Sequence, residues 1–298
     1  MCESDGGILV LDVVTCEARQ APMVRPSVEV GWSWQVGDVN WIARSGSIHA
    51  VRGWIVYEMF AANAPDKKRL LVGRSAPDFL SSAWFVDDGG SSSSLPLWSA
   101  SGESFLYIRH GHKEGDGDDE VMECSFQERS SVPFRDQGLS LIPRPVVAED
   151  GRICYERRHD RRTRSIVVDK WKGSDEPEVV WRASPIANCL AWSREANVIW
   201  LVSDTSAWAK NTVTGEVRSL LIGDIGGVDG TEFAGIALQE STGWVAIEVL
   251  GRPISVGKIT SKPLLAITIV SNDAKIMNTC VGTIGGRRIR RVLGWMDE

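Results

Sequence analysis

The sequence lacks the long apolar runs of membrane and secreted proteins. No stretch of it approaches the roughly 20 apolar residues that a membrane helix needs. The first residues, Met-Cys-Glu-Ser-Asp-Gly-Gly, contain no basic segment followed by a long apolar run, so no secretory signal is expected. We therefore expect a cytoplasmic protein that has no membrane partner.

Paired cysteines and an excess of positive charge are also missing. The six cysteines are scattered and include no Cys-x-x-Cys pair, which argues against zinc-ribbon and thioredoxin-like sites. The formal net charge is −6, which argues against a nucleic-acid partner. These absences exclude several classes of function and leave an ordinary globular protein.

Helical periodicity is almost absent, while short strand-like runs recur between glycine, proline, aspartate and serine. The 13 tryptophans and 29 glycines suit short strands, tight turns and bulky packing between sheets. At 298 residues the chain is long enough for one large all-β domain. We therefore expect a single domain that spans residues 1–298.

Two segments of the chain share a pattern. Leu95–His110 and Cys189–Asp204 each place a Trp-Ser pair before a turn and a hydrophobic strand. The two tryptophans, Trp98 and Trp192, are 94 residues apart, which is two units of 47. Repeats of this length with four strands each indicate a β-propeller, because each blade must stack on its neighbours to bury both of its faces.

Five complete units of four short strands can be traced, and strand-like fragments remain at both ends of the chain. The fragments are Ile8–Val13 and Glu17–Gln20 at the N-terminus, and Thr279–Ile284 and Arg288–Leu293 at the C-terminus. We therefore predict one six-bladed β-propeller of four-stranded antiparallel blades. N-terminal strands c and d would join C-terminal strands a and b to close the ring and remove exposed edges.

Two parts of the chain need separate predictions. The stretch 76–94 is too long for a turn between blades, and we interpret it as an insertion, either a lid over the channel mouth or a mobile segment. For the last complete unit we predict the strands Phe233–Leu238, Gly243–Leu250, Ile254–Ile259 and Pro263–Val270.

The Trp-Ser-x-x-(Gly/Ala) units, each followed by a hydrophobic strand, resemble the repeats of TolB-like six-bladed propellers and of prolyl-oligopeptidase-type propellers. The unit that begins at Ile142 departs from this pattern, since Val147-Ala148 stands where Trp-Ser would be. The length leaves no room for a C-terminal hydrolase domain, so peptidase chemistry is not implied. The resemblance implies the fold and, beyond it, no more than a general binding role.

All four histidines, His49, His110, His112 and His159, fall in or near predicted connections from strand b to strand c. Propeller ligands usually bind on the face that these connections form. The loop 110–120 is acidic and glycine-rich, and the corresponding loop 157–164 of the next blade holds five arginines in eight residues. Blades adjacent in sequence are adjacent in the ring, so we expect the two loops to be neighbours.

Three interpretations of these loops remain open. The first is a divalent metal site, because imidazole and carboxylate ligands suit zinc, iron or manganese; its ligands would be His110, His112, Asp116 and Asp118. The second is a site for an acidic small molecule or peptide, since arginine recognises carboxylates and phosphates bidentately. Its residues would be Arg157, Arg158, Arg161, Arg162, Asp204 and Trp208. The third is two solvated loops that pair loosely.

We expect a stand-alone cytoplasmic propeller that binds a small molecule, a peptide or a protein partner on this face. The alternative is an enzyme, a hydrolase, lyase or cyclase, with a histidine-containing site at the channel mouth that acts on an acidic or peptide-like substrate. His49, His159 and Asp160 would be catalytic there, because histidine titrates near neutral pH. The cofactor is unknown, and a divalent metal is the one that these residues suggest.

Overall fold

The computed structural model describes residues 2–4, 7–11, 18–20, 33–36, 38–49, 52–74, 82–86, 92–111, 119–160, 162–173, 176–225, 230–251, 255–256, 259–260, 265–281, 283–284 and 287–292. These segments form antiparallel β-strands and a short 3-10 helix, Ile222–Asp224. No helix among them is both long enough and apolar enough to span a membrane.

The strands form successive antiparallel sheets in chain order. The chain begins with β1 (Cys2–Ser4), β2 (Gly7–Leu11) and β3 (Ala18–Gln20). Sheet 1 contains β4 (Ser33–Val36), β5 (Val39–His49), β6 (Trp54–Ala61), β7 (Ala64–Arg74) and β8 (Trp84–Phe85). Sheet 2 contains β9 (Ser92–Trp98), β10 (Ser104–His110), β11 (Glu120–Ser125) and β12 (Ser130–Pro133).

The second half of the chain continues in the same way. Sheet 3 contains β13 (Leu139–Ser140), β14 (Val146–Val147), β15 (Arg152–Arg158), β16 (Arg164–Lys170) and β17 (Glu178–Arg182). Sheet 4 contains β18 (Cys189–Ser193), β19 (Val198–Val202), β20 (Ser206–Asn211) and β21 (Val217–Leu221). Then follow β22 (Gly230–Leu238), β23 (Val245–Gly251), β24 (Ser255–Val256), β25 (Ile259–Thr260), β26 (Leu265–Val270), β27 (Ile276–Val281), β28 (Thr283–Ile284) and β29 (Arg287–Val292).

Sheet 5 differs from the predicted strand pattern. Its strand order is β22-β23-β26-β27. In the chain, β24 and β25 come between β23 and β26, and they form a separate hairpin. The segment Ile254–Ile259 is therefore not the third strand, which is instead β26. β26 takes the third position because Val245–Leu250 of β23 pairs residue by residue with Leu265–Val270.

Strands from both ends of the chain share one sheet, which we call the terminal sheet. Its order is β28-β29-β1-β2-β3, with β1 paired antiparallel to β29. Strands from the two ends thus share a sheet as predicted, but the predicted C-terminal and N-terminal strands do not pair directly, because β1 lies between β29 and β2. Closure of a ring stays a prediction. Cys2–Ser4 adds a strand, and Thr279 belongs to β27 of sheet 5.

Neighbouring sheets bury their faces against each other. Leu106 of sheet 2 and Ile153, Tyr155 and Val167 of sheet 3 belong to one buried cluster. A comparable cluster, which includes Trp200 and Val249, joins sheets 4 and 5. Similar clusters join sheets 1 and 2 and sheets 3 and 4. Each sheet in this series is therefore stabilised by the next one along the chain.

The Trp-Ser pairs have a structural role at the turn after the first strand. Trp98 is buried and stacks on Phe126 at a ring-centroid distance of 5.1 Å. The Ser99 hydroxyl donates to the Ser104 carbonyl at 2.9 Å and so closes the β9–β10 turn. In the β18–β19 turn, the Ser193 hydroxyl instead accepts a hydrogen bond, from the N–H of Ala196 at 2.9 Å. The pair thus combines a packing residue with a turn-closing residue.

Gly243 and Gly215 offer a matched test of the packing between sheets 4 and 5. Both have a positive φ, +69° and +76°, so alanine strains the backbone at either position. A Cβ at Gly243 would lie 2.6 Å from Cβ of Ala196 and 2.7 Å from Cγ1 of Val198, whereas nothing lies within 4 Å of one at Gly215. We expect Gly215→Ala to lower the free energy of unfolding by about 1 kcal/mol, and Gly243→Ala by about 2–3 kcal/mol more.

Urea unfolding of both variants measures the difference. Equal losses of stability would contradict the close approach of the β22–β23 turn to sheet 4. The same turn is also held to sheet 4 by a hydrogen bond, because the Trp200 indole N–H donates to the Gly243 carbonyl at 3.1 Å.

Candidate functional site

The connections after β10 and after β15 emerge at the same end of sheets 2 and 3, which we call the loop face. The segment 134–138 runs between them. The N–H of Phe134 donates to the carbonyl of Val121, at the start of β11, at 2.7 Å. The N–H of Arg158, at the end of β15, donates to the carbonyl of Gly138 at 2.8 Å. The start of β11 and the end of β15 therefore lie beside one short segment.

His110 lies on the loop face between a serine and an aspartate. Its Nε2 is 2.7 Å from Oγ of Ser94, and its Nδ1 is 3.1 Å from Oδ1 of Asp119. Leu106 and Ile108 pack in the cluster between sheets 2 and 3. Because side chains alternate along a strand, His110 points to that side as well. Sequence reasoning did not identify Ser94.

The predicted metal site falls mostly outside the described residues. His112, Asp116 and Asp118 all lie there, so the structure gives only His110 of the four predicted ligands. Within the described segments, no three His, Cys, Asp or Glu side chains come together as a metal site would require. The metal site stays a prediction.

Arg157 takes part in an ion pair between sheets 2 and 3. Its guanidinium Nε lies 2.7 Å from Oδ2 of Asp136, and the Tyr155 hydroxyl donates to the same carboxylate oxygen at 2.5 Å. Burial raises the pKa of Tyr155, and the hydrogen bond to Asp136 raises it further. The Asp136 carboxylate thus satisfies Arg157 internally, and we assign this arginine to the support of the loop face.

Glu156 and two arginines form a second cluster, on the side of β15 that faces sheet 4. Glu156 is fully buried, and its Oε1 accepts hydrogen bonds from Arg164 at 2.7 Å and from Arg158 at 3.3 Å. Its Oε2 has no hydrogen-bond partner among the described residues, and the same holds for Nε of Arg164 and Oγ of Ser184. Buried polar atoms without partners are uncommon, so this cluster is a candidate ligand site.

His159, Asp160 and Arg162 lie in the connection after β15. Nε2 of His159 is 2.9 Å from Oγ of Ser165. The Asp160 carboxylate accepts the N–H groups of Arg162 at 2.6 Å and of Thr163 at 2.7 Å, which lowers its pKa. Asp160 therefore holds the turn, and the Arg162 side chain is exposed. Arg161, also predicted as a ligand residue, lies outside the described residues.

Of the remaining predicted site residues, His49 lies apart from this group. His49 ends β5 and pairs with Trp54, and Trp54 stacks on Phe126 near the β11–β12 turn, at the end of the sheets opposite the loop face. Trp208 is half-buried against the cluster between sheets 3 and 4. Asp204 accepts a hydrogen bond from the Asn188 side chain. The structure does not bring His49 together with His159 and Asp160.

A cavity of about 740 Å³ opens between sheets 3 and 4 at the end opposite the loop face. Its two arginines share one carboxylate: Asp150 accepts from Arg152 at 2.9 Å and lies 2.7 Å from Arg194. The Glu240 carboxylate accepts the N–H of Arg194 at 2.7 Å. The cavity thus offers a concave surface with an excess of negative charge, a feature that the sequence did not indicate; its glutamates are Glu149, Glu178, Glu195 and Glu240.

No protein-family model matches this chain, and no curated protein matches it. Solved structures do match. Puromycin hydrolase aligns with a TM-score of 0.51 at 12% identity, over 83% of this chain and 39% of that one. TolB from Acinetobacter baumannii aligns with a TM-score of 0.47 at 12% identity, over 79% of this chain and 65% of that one.

A prolyl oligopeptidase B from Galerina marginata gives a TM-score of 0.49 at 11% identity, over 82% of this chain and 36% of that one. The chain thus spans about two fifths of puromycin hydrolase, and the identities are low enough that the likeness concerns the fold alone. At that level, the resemblance to TolB-like and prolyl-oligopeptidase-type propellers is confirmed.

Proposed function

We propose that the sheets form a closed six-bladed propeller that binds, on its loop face, a small acidic ligand or the carboxylate end of a peptide. The ring would close through the terminal sheet, where Cys2 pairs with Val292 and Glu3 with Arg291. Such pairing ties both ends of the chain into one sheet and leaves fewer exposed strand edges.

The observation that carries the binding proposal is the unpartnered polar group at Glu156. Its Oε2 and Nε of Arg164 are buried and lack partners among the described residues, directly beside the half-exposed Arg158. Oε2 of Glu156 is an acceptor and Nε of Arg164 is a donor. A ligand that supplies a donor to the first and an acceptor to the second would satisfy both. The Glu156 carboxylate and two guanidiniums together carry one net positive charge, which favours an anionic acceptor.

Apolar side chains flank this cluster. Ile142 is 55% exposed, and its carbonyl accepts a hydrogen bond from Arg158 at 2.9 Å. Ile186 is 57% exposed and follows Ser184, whose N–H donates to the Arg164 carbonyl at 3.1 Å. A ligand with a carboxylate, a neighbouring hydroxyl or amine and a short apolar group matches these three features. Hydroxy acids, amino acids and peptide C-termini share that chemistry.

The cavity at the opposite end is the weaker candidate for this role. Its two arginines already share Asp150, and four glutamates also line it, so an anionic ligand there would meet an excess of negative charge. At the Glu156 cluster the net charge is instead positive. The difference favours the loop face although the opposite end offers the concave volume.

Arg158→Ala tests the proposal, with Arg218→Ala as its matched control. Both arginines are about half exposed, and Arg218 pairs with Glu216 at the other end of sheet 4. The probes are leucine, its 2-hydroxy acid analogue and leucinamide, which lacks the carboxylate. We expect the two acids to bind the parent protein and the Arg218 variant, and Arg158→Ala to weaken binding at least about tenfold, since a charge-assisted hydrogen bond contributes about 1.5–3 kcal/mol.

Titration calorimetry measures the binding, and thermal melting checks stability. Arg218→Ala should melt close to the parent, since exposed substitutions seldom change stability by more than about 0.5 kcal/mol. Arg158→Ala should melt lower but remain folded, because the buried Glu156 loses one partner and keeps Arg164. Equal affinity of the two variants for the acids, or equal binding of leucinamide and leucine, would reject the carboxylate site. Absence of binding by the parent protein to all three probes would also count against it.

Ring closure has its own test by disulfide formation. Cys2 and Val292 are directly opposed across an antiparallel pair of strands, and so are Glu3 and Arg291. Directly opposed Cα atoms lie about 4.5–5.5 Å apart, within the range that a disulfide spans. We expect oxidation to join Cys2 to residue 292 in Val292→Cys, or residues 3 and 291 in the Glu3→Cys, Arg291→Cys double variant.

Peptide mass mapping under non-reducing conditions identifies the bond. The Cys2→Ser, Val292→Cys variant is the control, and it should give no intramolecular bond at residue 292. If neither oxidised variant contains the expected disulfide while both remain monomeric, the pairing of the termini is wrong.

A further inference from the structure

The geometry at His110 points to a second activity that is independent of the proposed carboxylate site. Nε2 of His110 is 2.7 Å from the Ser94 hydroxyl, and Nδ1 is 3.1 Å from the Asp119 carboxylate. A nucleophilic serine needs this order of groups: a base at its hydroxyl and a carboxylate at the far nitrogen of that base. We propose that Ser94 is an activated nucleophile that hydrolyses small carboxylic esters.

The backbone next to Ser94 is unusual in a way that supports this assignment. The β9–β10 register shifts, so that Ser94 opposes Ile108 and Leu97 opposes Leu106, with two residues of β9 facing one of β10. Leu95, directly after the serine, has a φ of +58°, which is rare for a side chain of this kind. Bulges of this type redirect a side chain and are common beside active sites.

Burial defines the class of substrate. Ser94 is 6% exposed, while the side chains of His110 and Asp119 are 33% and 59% exposed. An acyl group must therefore reach a nearly covered hydroxyl, whereas the leaving group stays near solvent beside His110. This arrangement suits a short acyl chain, such as acetyl, on an alcohol or phenol of any size.

The reaction balances with water as the only co-reactant. The Ser94 hydroxyl oxygen bonds to the ester carbonyl carbon while Nε2 of His110 takes the hydroxyl proton. The carbon–oxygen bond to the leaving alcohol breaks, and the alcohol leaves with that proton. Water then attacks the acyl-serine, gives a proton to His110 and releases the carboxylic acid, after which Ser94 regains its proton. Asp119 acts as a positioning residue, because it holds the imidazole ring and stabilises its charged form.

A natural control lies in the next sheet. His159 and Ser165 are also within hydrogen-bond distance, at 2.9 Å. Ser165 is buried, as Ser94 is. Among the described residues, no carboxylate contacts the other ring nitrogen of His159. The two pairs differ chiefly in the third group, so only the pair with Asp119 is expected to react.

The test uses the full chain with p-nitrophenyl acetate as substrate and a fluorophosphonate as a covalent label. We expect hydrolysis above the buffer rate, and phosphonylation of one residue, Ser94, found by peptide mass mapping. Ser94→Ala should lower the rate at least about 100-fold and abolish labelling, whereas Ser165→Ala should match the parent. Asp119→Asn is too exposed to disturb folding, and it should lower the rate and alter its pH profile.

Any one of three other results would overturn the proposal. Labelling at a different residue would place the reactive group elsewhere. A Ser94→Ala protein that melts like the parent and keeps its rate would exclude the serine as nucleophile. An unchanged rate and pH profile in Asp119→Asn would remove the positioning role. Because the carboxylate-binding test uses Arg158 and non-ester probes, failure here leaves that result unaffected.

Discussion

The packing of each sheet against the next one is the constraint on which the rest of this structure depends. A four-stranded sheet has two apolar faces, and neither can remain in water at low cost. Sheet 3 shows the consequence, since Tyr155 packs toward sheet 2 while Ile166 and Trp181 pack toward sheet 4. Side chains in the middle of a strand are therefore committed to packing. Only residues at the sheet ends are free to take part in chemistry.

Glu156 is the exception that shows how demanding this constraint is. It follows three buried residues of β15, Ile153–Tyr155, and it is itself fully buried. An isolated carboxylate there would be very costly, so Arg158 and Arg164 are held beside it. The compensation is incomplete among the described residues, because one oxygen and one guanidinium nitrogen remain without partners. Buried polar groups are rarely left unsatisfied, and a bound ligand is one way to satisfy them.

The sequence predicted much of the fold because its signals are local. The Trp-Ser pairs mark turns that a serine hydroxyl closes, and they place the strands of sheets 2 and 4 correctly. Where Ala148 replaces the serine, Asp150 accepts the N–H of Arg152 at 3.2 Å, so the turn persists without the motif. The β24–β25 hairpin could not be predicted in this way, because its short strands look the same as a third strand of sheet 5.

The candidate sites were only partly predictable, for a related reason. Arginine clustering identified Arg158, but not which arginines pair with Asp136 and Glu156. Asp136 is 21 residues from Arg157 in sequence, and Arg164 reaches Glu156 from the neighbouring strand β16. The contact of Ser94 with His110 depends on a register shift at Leu95, and a slip of one residue would turn the serine to the other face of the sheet. Such a shift leaves no composition signal.

Both candidate sites border the segment between β13 and β14. The Ile142 carbonyl accepts from Arg158 at 2.9 Å, and Arg144 donates to the carbonyl of Pro96, close to Ser94, at 3.3 Å. The segment pairs with β15 only at its ends, through Leu139–Ser140 and Val146–Val147, and its central residues are free of the ladder. Released from regular pairing, these carbonyl groups and side chains are able to contact sheet 2 and the loop face at once. The break in this strand thus allows one segment to contact the surroundings of both candidate sites.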